Sequence, residues 1–136
     1  YCSMIKICDF KEKDFNNIKN LLLEGFSKNF DKNLNLDFIK NQNSFGFLAK
    51  NNTNTIGYAS VHIIDKINRR SCLIEDVVVE KNQRGKGVGK KLIMHIINFS
   101  KSKSCDKIIL NSSESNILFY EKLGFVQNEI QLVMRI

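Results

Sequence analysis

The sequence contains no proline and no apolar run long enough to cross a membrane. A spanning helix needs roughly 20 consecutive apolar residues, and polar or charged residues interrupt every apolar stretch of this chain well before that length. No basic segment followed by an apolar stretch opens the chain, so the sequence predicts no secretion signal. These absences favour a cytoplasmic protein without a membrane partner, whereas the lack of proline indicates no particular function.

Metal-ligating residues are few, and none has the CxxC spacing of a zinc site. The cysteines are Cys2, Cys8, Cys72 and Cys105, and the histidines are His62 and His95. Both histidines stand among apolar residues in the sequence, away from the cysteines. Zinc sites need clustered ligands, and disulfide frameworks belong mostly to small secreted domains. We therefore predict no metal site and reduced, partly buried thiols.

Length and charge limit the classes of protein that the chain can belong to. Its 136 residues, 43% of them hydrophobic, suit a single domain over residues 1–136 with a two- or three-layer core. The formal net charge of +7 attracts anions, so nucleic acids, acidic membranes and phosphorylated small molecules are all candidate partners. Because the lysines are scattered along the chain, charge alone favours phosphorylated ligands only weakly.

Apolar periodicity predicts the element order β-α-α-β-β-β-α-β-α-β. Strands are expected at residues 4–8, 44–50, 55–64, 71–80, 107–111 and 131–135, and helices at residues 14–25, 34–40, 88–101 and 115–123. The β-branched run Val77, Val78 and Val79 indicates a strand buried on both faces. A buried strand, a glycine loop, a helix and a further strand form a βαβ unit, which predicts a parallel pair inside a mixed sheet.

The glycine loop before the third predicted helix is the most specific chemical feature. Its glycines are Gly85, Gly87 and Gly89, and its basic residues are Arg84, Lys86 and Lys90. Glycines where a helix begins leave backbone N–H groups open to a ligand, and the helix dipole favours negative charge there. The loop therefore predicts a pyrophosphate cradle, against the alternative of an ordinary flexible turn. It matches neither the P-loop nor the GxGxxG fingerprint, since lysines occupy positions 90 and 91.

The segment from Arg84 to Gly89 resembles the acetyl-CoA motif Q/R-x-x-G-x-G/A of the GNAT superfamily of N-acetyltransferases, with Gln83 or Arg84 in its first position. Residues 116–125 resemble the second signature of that superfamily. The resemblance implies an α/β GNAT fold, with a mixed six- or seven-stranded sheet, splayed central parallel strands and helices on both faces. It also implies that acetyl-CoA is the cosubstrate. The implied cofactor-binding residues are Val77, Val78, Val79, Arg84, Gly85, Lys86, Gly87, Val88, Gly89, Lys90, Asn116 and Tyr120.

Three further segments resemble the glucosamine 6-phosphate N-acetyltransferase family: residues 75–79, residues 107–110 and Arg135 near the C-terminus. That resemblance implies acetylation of the glucosamine 6-phosphate amine by direct attack in a ternary complex, giving N-acetylglucosamine 6-phosphate for UDP-GlcNAc biosynthesis. It also implies a homodimer whose C-terminal strands meet or exchange. The implied substrate-binding residues are Glu75, Asp76, Lys66, Lys107 and Arg135.

The same resemblance assigns catalytic roles to three positions. Tyr120 is expected to protonate or hydrogen-bond the departing CoA sulfur, and a freed N–H at Val77 to stabilise the oxyanion of the tetrahedral intermediate. Asn111 stands where the family commonly has an acidic residue, and it can accept from the amine without taking its proton. Glu75 and Asp76 are adjacent, so regular strand geometry predicts that they point to opposite faces and form no carboxylate pair.

Two alternative functions stay open at this stage. One is a GNAT enzyme that acetylates another amine, such as a polyamine or a protein N-terminus; the turn at residues 66–70 is shorter than its family counterpart, which helps to hold the sugar. The other is a basic nucleic-acid-binding module, which needs aromatic residues interleaved with basic ones. Most of the ten phenylalanines occupy apolar-periodic positions, which favours a core role and weighs against nucleic acid.

Overall fold

The computed structural model describes residues 4–26 and 33–136. Its strands are β1 (Ile5–Asp9), β2 (Ser44–Asn51), β3 (Asn54–Asp65), β4 (Arg70–Val79) and β5 (Lys107–Leu110). Its α-helices are α1 (Phe15–Gly25), α2 (Leu36–Lys40), α3 (Val88–Ser102) and α4 (Ile117–Glu121). The strands form one sheet in the order β1-β2-β3-β4-β5. The first four pair antiparallel and β4 pairs β5 parallel, which confirms the predicted mixed sheet.

Helices pack on both faces of the sheet, as the sequence predicts. On one face, α3 buries Val88, Leu92, Ile93 and Ile96 against strand residues that include Phe47 and Ala49. On the other face, α1 buries Ile18, Leu21 and Leu22 against Leu48, Tyr58 and Val78. Successive strand side chains point to opposite faces, so the run from Phe47 to Ala49 supplies both layers. A fully buried leucine contributes about 1.5–3 kcal/mol, and Leu92, which is wholly buried, anchors α3 over the sheet.

A β-bulge interrupts the pairing of β3 with β4. Tyr58 lies opposite Val78 and Ser60 lies opposite Glu75, so two residues of β4 face the single residue Ala59. One of those two, Asp76, has a φ of +56°, in the left-handed region. A bulge bends its strand and increases the local twist. The parallel pairing of β4 with β5 ends at residues 74 and 110, while β4 continues to residue 79. The predicted splay of the central parallel strands is therefore confirmed.

The last strand, expected at residues 131–135, is absent from the described chain, so the sheet has five strands and not six or seven. The segment pairs with no other strand, and its apolar side chains are exposed: Ile130 by 88%, Leu132 by 91% and Met134 by 86%. The alternation of apolar and polar residues predicts an extended segment with one apolar face, but no strand forms there in the described chain. It contains no information on which edge that segment pairs with, and a strand exists only with a partner.

The thiols agree with the sequence-based expectation where they are described. Cys72 is buried, Cys8 and Cys105 are half-buried, and all three are free. Cys2 lies outside the described residues. In the described ranges no helix combines the length and the apolar character that crossing a membrane requires.

Candidate active site

The glycine loop leads directly into the N-terminus of α3. Gly85 and Gly87 have φ values of +78° and +84°, which L-residues with a Cβ rarely adopt. A Cβ built on either glycine meets no atom within 4 Å, so the backbone conformation and not crowding selects glycine there. Gly87 is the N-cap and supplies no side-chain cap, and the first intrahelical bond runs from the Lys91 N–H to the Gly87 carbonyl. The N–H groups of the first helical turn are therefore available to an anion.

The third glycine of the motif lies in a different environment. A Cβ on Gly89 lies 3.4 Å from Cζ of Phe119 and 3.8 Å from Cγ2 of Val79, which are ordinary van der Waals distances. The start of α3 therefore packs beside the side chain of Phe119 and the end of β4. Arg84 fixes the other side of the loop, because its Nε donates to the Val79 carbonyl at 3.2 Å. These contacts hold the helix N-terminus beside the last residues of β4.

The same residues of β4 border the gap between the splayed strands. Val78 and Val79 pair with β3 on one edge. On the other edge the parallel ladder has already ended at Ile74 and Leu110, so the backbone beyond it lacks a strand partner there. The side chain of Val77 packs against the core that α3 covers. An extended ligand can therefore reach backbone groups of β4 and the N-terminus of α3 from one side of the sheet.

Tyr120 lies on α4 and is half-buried against that core. Its ring makes edge contacts with Phe119 and Phe125, at centroid distances of 4.9 and 5.8 Å. Burial raises the pKa of Tyr120, so the phenol keeps its proton at neutral pH. Among residues 4–26 and 33–136 its hydroxyl has no hydrogen-bond partner. Tyr120 is thus both a packed residue and a free proton donor.

Glu75 and Asp76 point to the same side of the sheet, which corrects the expectation that they point apart. Regular alternation fails at the bulge, where the left-handed backbone of Asp76 turns its carboxyl back towards β3. Burial raises the pKa of Glu75, and the charge of Asp76 raises it further. Partial desolvation also raises the pKa of Asp76, while nearby His62 and Ser60 oppose that shift. The two carboxyls therefore act on each other and on one imidazole.

The sequence neighbours of His62 predict apolar surroundings, but the structure places its side chain in this polar cluster. Its Nδ1 is 3.0 Å from Oγ of Ser44, and the ring of Phe38 packs against it at 5.9 Å. The sequence did carry a signal for this cluster. Along β3, Tyr58, Ser60 and His62 alternate with Ala59, Val61 and Ile63. That alternation predicts one face of the strand that is not wholly apolar.

The remaining predicted site residues fall into two groups. Asn111 directly follows the last paired residue of β5, at the gap, and Asn116 ends the turn before α4. Lys66, Lys107 and Arg135 are exposed. Lys107 opens β5 opposite Ser71, three residues before the gap and thus roughly 10 Å from it. Lys66, in the turn between β3 and β4, lies at the same end of the sheet as Lys107, and the substrate-binding roles of the three basic residues stay predictions.

Comparison with known proteins gives a family and close structural relatives. The model of the acetyltransferase (GNAT) family matches residues 15–125. The glucosamine 6-phosphate N-acetyltransferase of Trypanosoma brucei brucei is 49% identical over 80 residues, 57% of this chain and 54% of that protein. The chain thus spans about half the length of the curated relatives it matches.

Two crystal structures cover nearly the whole chain. An acetyltransferase from Trypanosoma brucei superposes with a TM-score of 0.85 and 31% identity, over 98% of this chain and all of that one. The glucosamine-6-phosphate N-acetyltransferase of Arabidopsis thaliana superposes with a TM-score of 0.85 and 27% identity, over 97% and 98% of the two chains. The family match spans most of the sequence, including the glycine loop and the bulged strand, and this protein is a member of the GNAT acetyltransferase family.

Proposed function

We propose that this protein transfers the acetyl group of acetyl-CoA to the amine of glucosamine 6-phosphate, giving N-acetylglucosamine 6-phosphate. The observation that carries the proposal is the adjacency of an anion-binding helix N-terminus, an open strand edge and a cluster of two carboxylates. The similarity to glucosamine 6-phosphate N-acetyltransferases supports the choice of acceptor. We further propose a cytoplasmic enzyme that serves amino-sugar and UDP-GlcNAc biosynthesis.

The proposed acetyl-CoA site combines the glycine loop with the open edge of β4. Free N–H groups at the start of α3 suit the pyrophosphate, and the exposed ammonium groups of Lys86 and Lys90 add positive charge. The backbone of residues 77–79 suits the extended amide-containing arm of the molecule, since that edge lacks a strand partner. Bound there, acetyl-CoA supplies the activated acyl group as a thioester. The residues present fit this cosubstrate.

The chain contributes positioning and electrostatics to the transfer, with no covalent enzyme intermediate. In our proposal the N–H of Val77 stabilises the negative charge that develops on the thioester oxygen. Tyr120 donates its phenolic proton, or a hydrogen bond, to the departing sulfur. A thiol has an ordinary pKa near 8.5, so the thiolate is a fair leaving group and the contribution of this acid is modest.

The proposed acceptor site lies at the bulge. Glu75 and Asp76 form a local negative region on a chain of net charge +7, and a cationic amine is attracted to such a region. Their carboxyl oxygens also accept hydrogen bonds from sugar hydroxyls. Asn111, at the end of β5, offers an amide oxygen to the amine. This local charge favours an amine acceptor over a nucleic acid.

We propose a homodimer that completes the phosphate site. Arg135 lies on an exposed, unpaired segment whose apolar side chains find no cover in one chain. In the dimer this segment meets the partner, and Arg135 reaches the partner's acceptor site with its bidentate guanidinium. Lys107 and Lys66 add positive charge for the sugar phosphate. Exposure of this apolar segment in the single chain supports the assignment.

An acceptor screen tests the proposal. Purified protein is incubated with acetyl-CoA and one of three amines: glucosamine 6-phosphate, unphosphorylated glucosamine or spermidine, and released thiol is measured. We expect the highest kcat/KM with glucosamine 6-phosphate. A preference for spermidine indicates a different amine acetyltransferase, and a preference for unphosphorylated glucosamine removes the proposed phosphate site.

A further inference from the structure

The acceptor ammonium must lose a proton before its nitrogen can attack, and the residue at the end of β5 cannot take that proton. Asn111 carries an amide, which accepts a hydrogen bond but is not a base at neutral pH. Among the described residues around the bulge, the side chains with a basic atom are the carboxyls of Glu75 and Asp76 and the imidazole of His62. The candidate bases are therefore the members of this cluster.

Strand register places the cluster on one face of the sheet across three strands. His62 lies opposite Leu73, Leu73 lies opposite Ile109, and paired residues share a face. Side chains two residues apart on a strand share a face. Glu75, two residues after Leu73, and position 111, two residues after Ile109, are therefore on this face as well. Neighbouring paired strands are about 4.8 Å apart, so β3 and β5 are separated by roughly 10 Å at His62 and Ile109, where both ladders are intact. Glu75 itself lies opposite Ser60, so an amine seated over Glu75 has Asn111 on the β5 side and, on the β3 side, Ser60 with the imidazole of His62 two residues further along.

The imidazole is held in a fixed orientation with one nitrogen free. Nδ1 is 3.0 Å from Oγ of Ser44, and the Phe38 ring packs edge-on at 5.9 Å. Among residues 4–26 and 33–136, Nε2 has no hydrogen-bond partner, and the half-buried ring leaves it accessible. A serine hydroxyl both donates and accepts. When Ser44 accepts a hydrogen bond from Nδ1–H, the neutral ring has its lone pair on Nε2, and the same hydrogen bond persists after Nε2 takes up a proton.

The carboxylates and the imidazole suit different tasks. Ionised Glu75 and Asp76 stabilise a cation beside them, but carboxylates are weak bases near neutral pH. Imidazole is the side chain whose proton affinity best matches that range. The charged groups that face His62 are Glu75 and Asp76 of β4. Ser44 of β2 and Phe38 of α2 carry no charge, and the charged residues of α2, Asp37 and Lys40, are exposed.

We propose that His62 is the catalytic base of this enzyme and accepts the proton of the acceptor ammonium at Nε2. The inference depends on the proposed acetyl transfer. One N–H bond of the ammonium breaks and its proton binds Nε2; the freed electron pair forms the C–N bond to the acetyl carbon. The nitrogen, now cationic in the tetrahedral intermediate, releases a second proton to solvent as the intermediate collapses to the amide. The C–S bond breaks, and the sulfur leaves as a thiolate that takes a proton from Tyr120 or solvent. His62⁺ returns its proton to solvent, with Glu75 and Asp76 stabilising the imidazolium in between.

The test compares His62→Gln with His95→Gln over pH 6–9. His95 is the only other histidine, and it packs against Phe47 at 4.8 Å. General-base catalysis contributes 10²–10⁴-fold, so we expect His62→Gln to lower kcat about 100-fold at pH 7. The difference in kcat between wild type and His62→Gln should shrink as pH rises, because the acceptor then binds as the free amine. His95→Gln should stay within twofold of wild type, and Ser44→Ala should lose less than His62→Gln.

Unchanged kcat and an unchanged pH profile in folded His62→Gln overturn the inference while leaving acetyl transfer intact. A wild-type protein that acetylates no amine contradicts the proposed function itself. If His62→Gln fails to fold, the His95→Gln protein, whose one histidine is His62, is treated with diethyl pyrocarbonate. The proposal is supported if the reagent abolishes activity, if bound acceptor protects against this loss, and if hydroxylamine restores the activity. Full activity after modification of His62 overturns it.

Discussion

The hydroxyl of Ser60 on β3 donates a hydrogen bond to the backbone carbonyl of Glu75 on β4, at 3.1 Å. Ser60 is almost completely buried, and this bond lies at the pairing position where the bulge begins. It compensates for part of the irregular pairing that the extra residue introduces. The bulge in turn brings two carboxyls to one face, and the ladder that pairs β4 with β5 ends just before it. One local irregularity therefore shapes both halves of the proposed active site.

The bulge carboxyls should lower stability at neutral pH. Because the pKa of Asp76 is raised in the folded protein, its ionised form is penalised, and the penalty appears as pH rises from the unfolded pKa through the folded one. Asp76→Asn removes the penalty, and asparagine tolerates the left-handed backbone. We expect Tm to rise by about 1–2 °C at pH 7 and the difference to vanish near pH 3.

Asp9→Asn, at the exposed end of β1, controls for the loss of one negative charge. Thermal melts of the three proteins at both pH values are the measurement. A lower Tm for Asp76→Asn than for wild type at pH 7 contradicts the sign of this effect.

The glycine loop should discriminate between charge and shape. Gly87→Asp places a carboxylate where we propose the pyrophosphate binds, whereas Gly87→Asn adds a side chain of the same size without charge. Both residues tolerate the left-handed φ of +84° better than other side chains do. Like charges a few ångströms apart near a surface repel by more than 1.4 kcal/mol. The Gly87→Asp protein should therefore bind acetyl-CoA at least about tenfold more weakly than the Gly87→Asn protein. Calorimetric titration measures both Kd values, and equal values remove the cradle assignment.

Tyr120→Phe should lower kcat more than it raises KM, because the proton acts mainly in the transition state. We expect a loss of about tenfold, below the usual range for general acids, since the thiolate leaves readily. The phenol is needed in its protonated form, and burial raises its pKa. Wild-type kcat should therefore fall only at pH values above the range in which tyrosine ordinarily ionises. That alkaline fall should be absent from the variant. Wild-type turnover in the variant would mean that Tyr120 serves packing alone.

Arg135→Ala should raise KM for glucosamine 6-phosphate and leave the acetyl-CoA Kd unchanged. A charge-assisted contact contributes about 1.5–3 kcal/mol, which corresponds to roughly ten- to a hundredfold. If the site is shared between subunits, mixing Arg135→Ala chains with Gly87→Asp chains should restore part of the activity. An unchanged phosphosugar KM removes both the phosphate contact and the shared site.

The sequence predicts the regular parts of this protein well, because periodicity and glycine conformation are local properties. The strand at residues 71–80 and the helix that begins at Val88 after the glycine loop both follow from their neighbours in the chain. The polar cluster cannot be predicted in this way, because the extra residue at Asp76 changes the side of the sheet to which its carboxyl points. That bulge arises from the pairing of β4 with β3, which lies at a distance in the sequence. The strand expected at residues 131–135 is absent for a related reason, since an apolar segment does not encode its pairing partner.

Direct observation of the product tests the central claim, acetyl transfer to an amino sugar phosphate. The protein is incubated with acetyl-CoA labelled with ¹³C in its acetyl group and with glucosamine 6-phosphate, and the products are followed by NMR. We predict that the label appears in an amide on the sugar nitrogen, at a rate that falls strongly in Gly87→Asp. Label that remains in acetyl-CoA, or that reaches an amine other than the phosphosugar when both are present, contradicts the account.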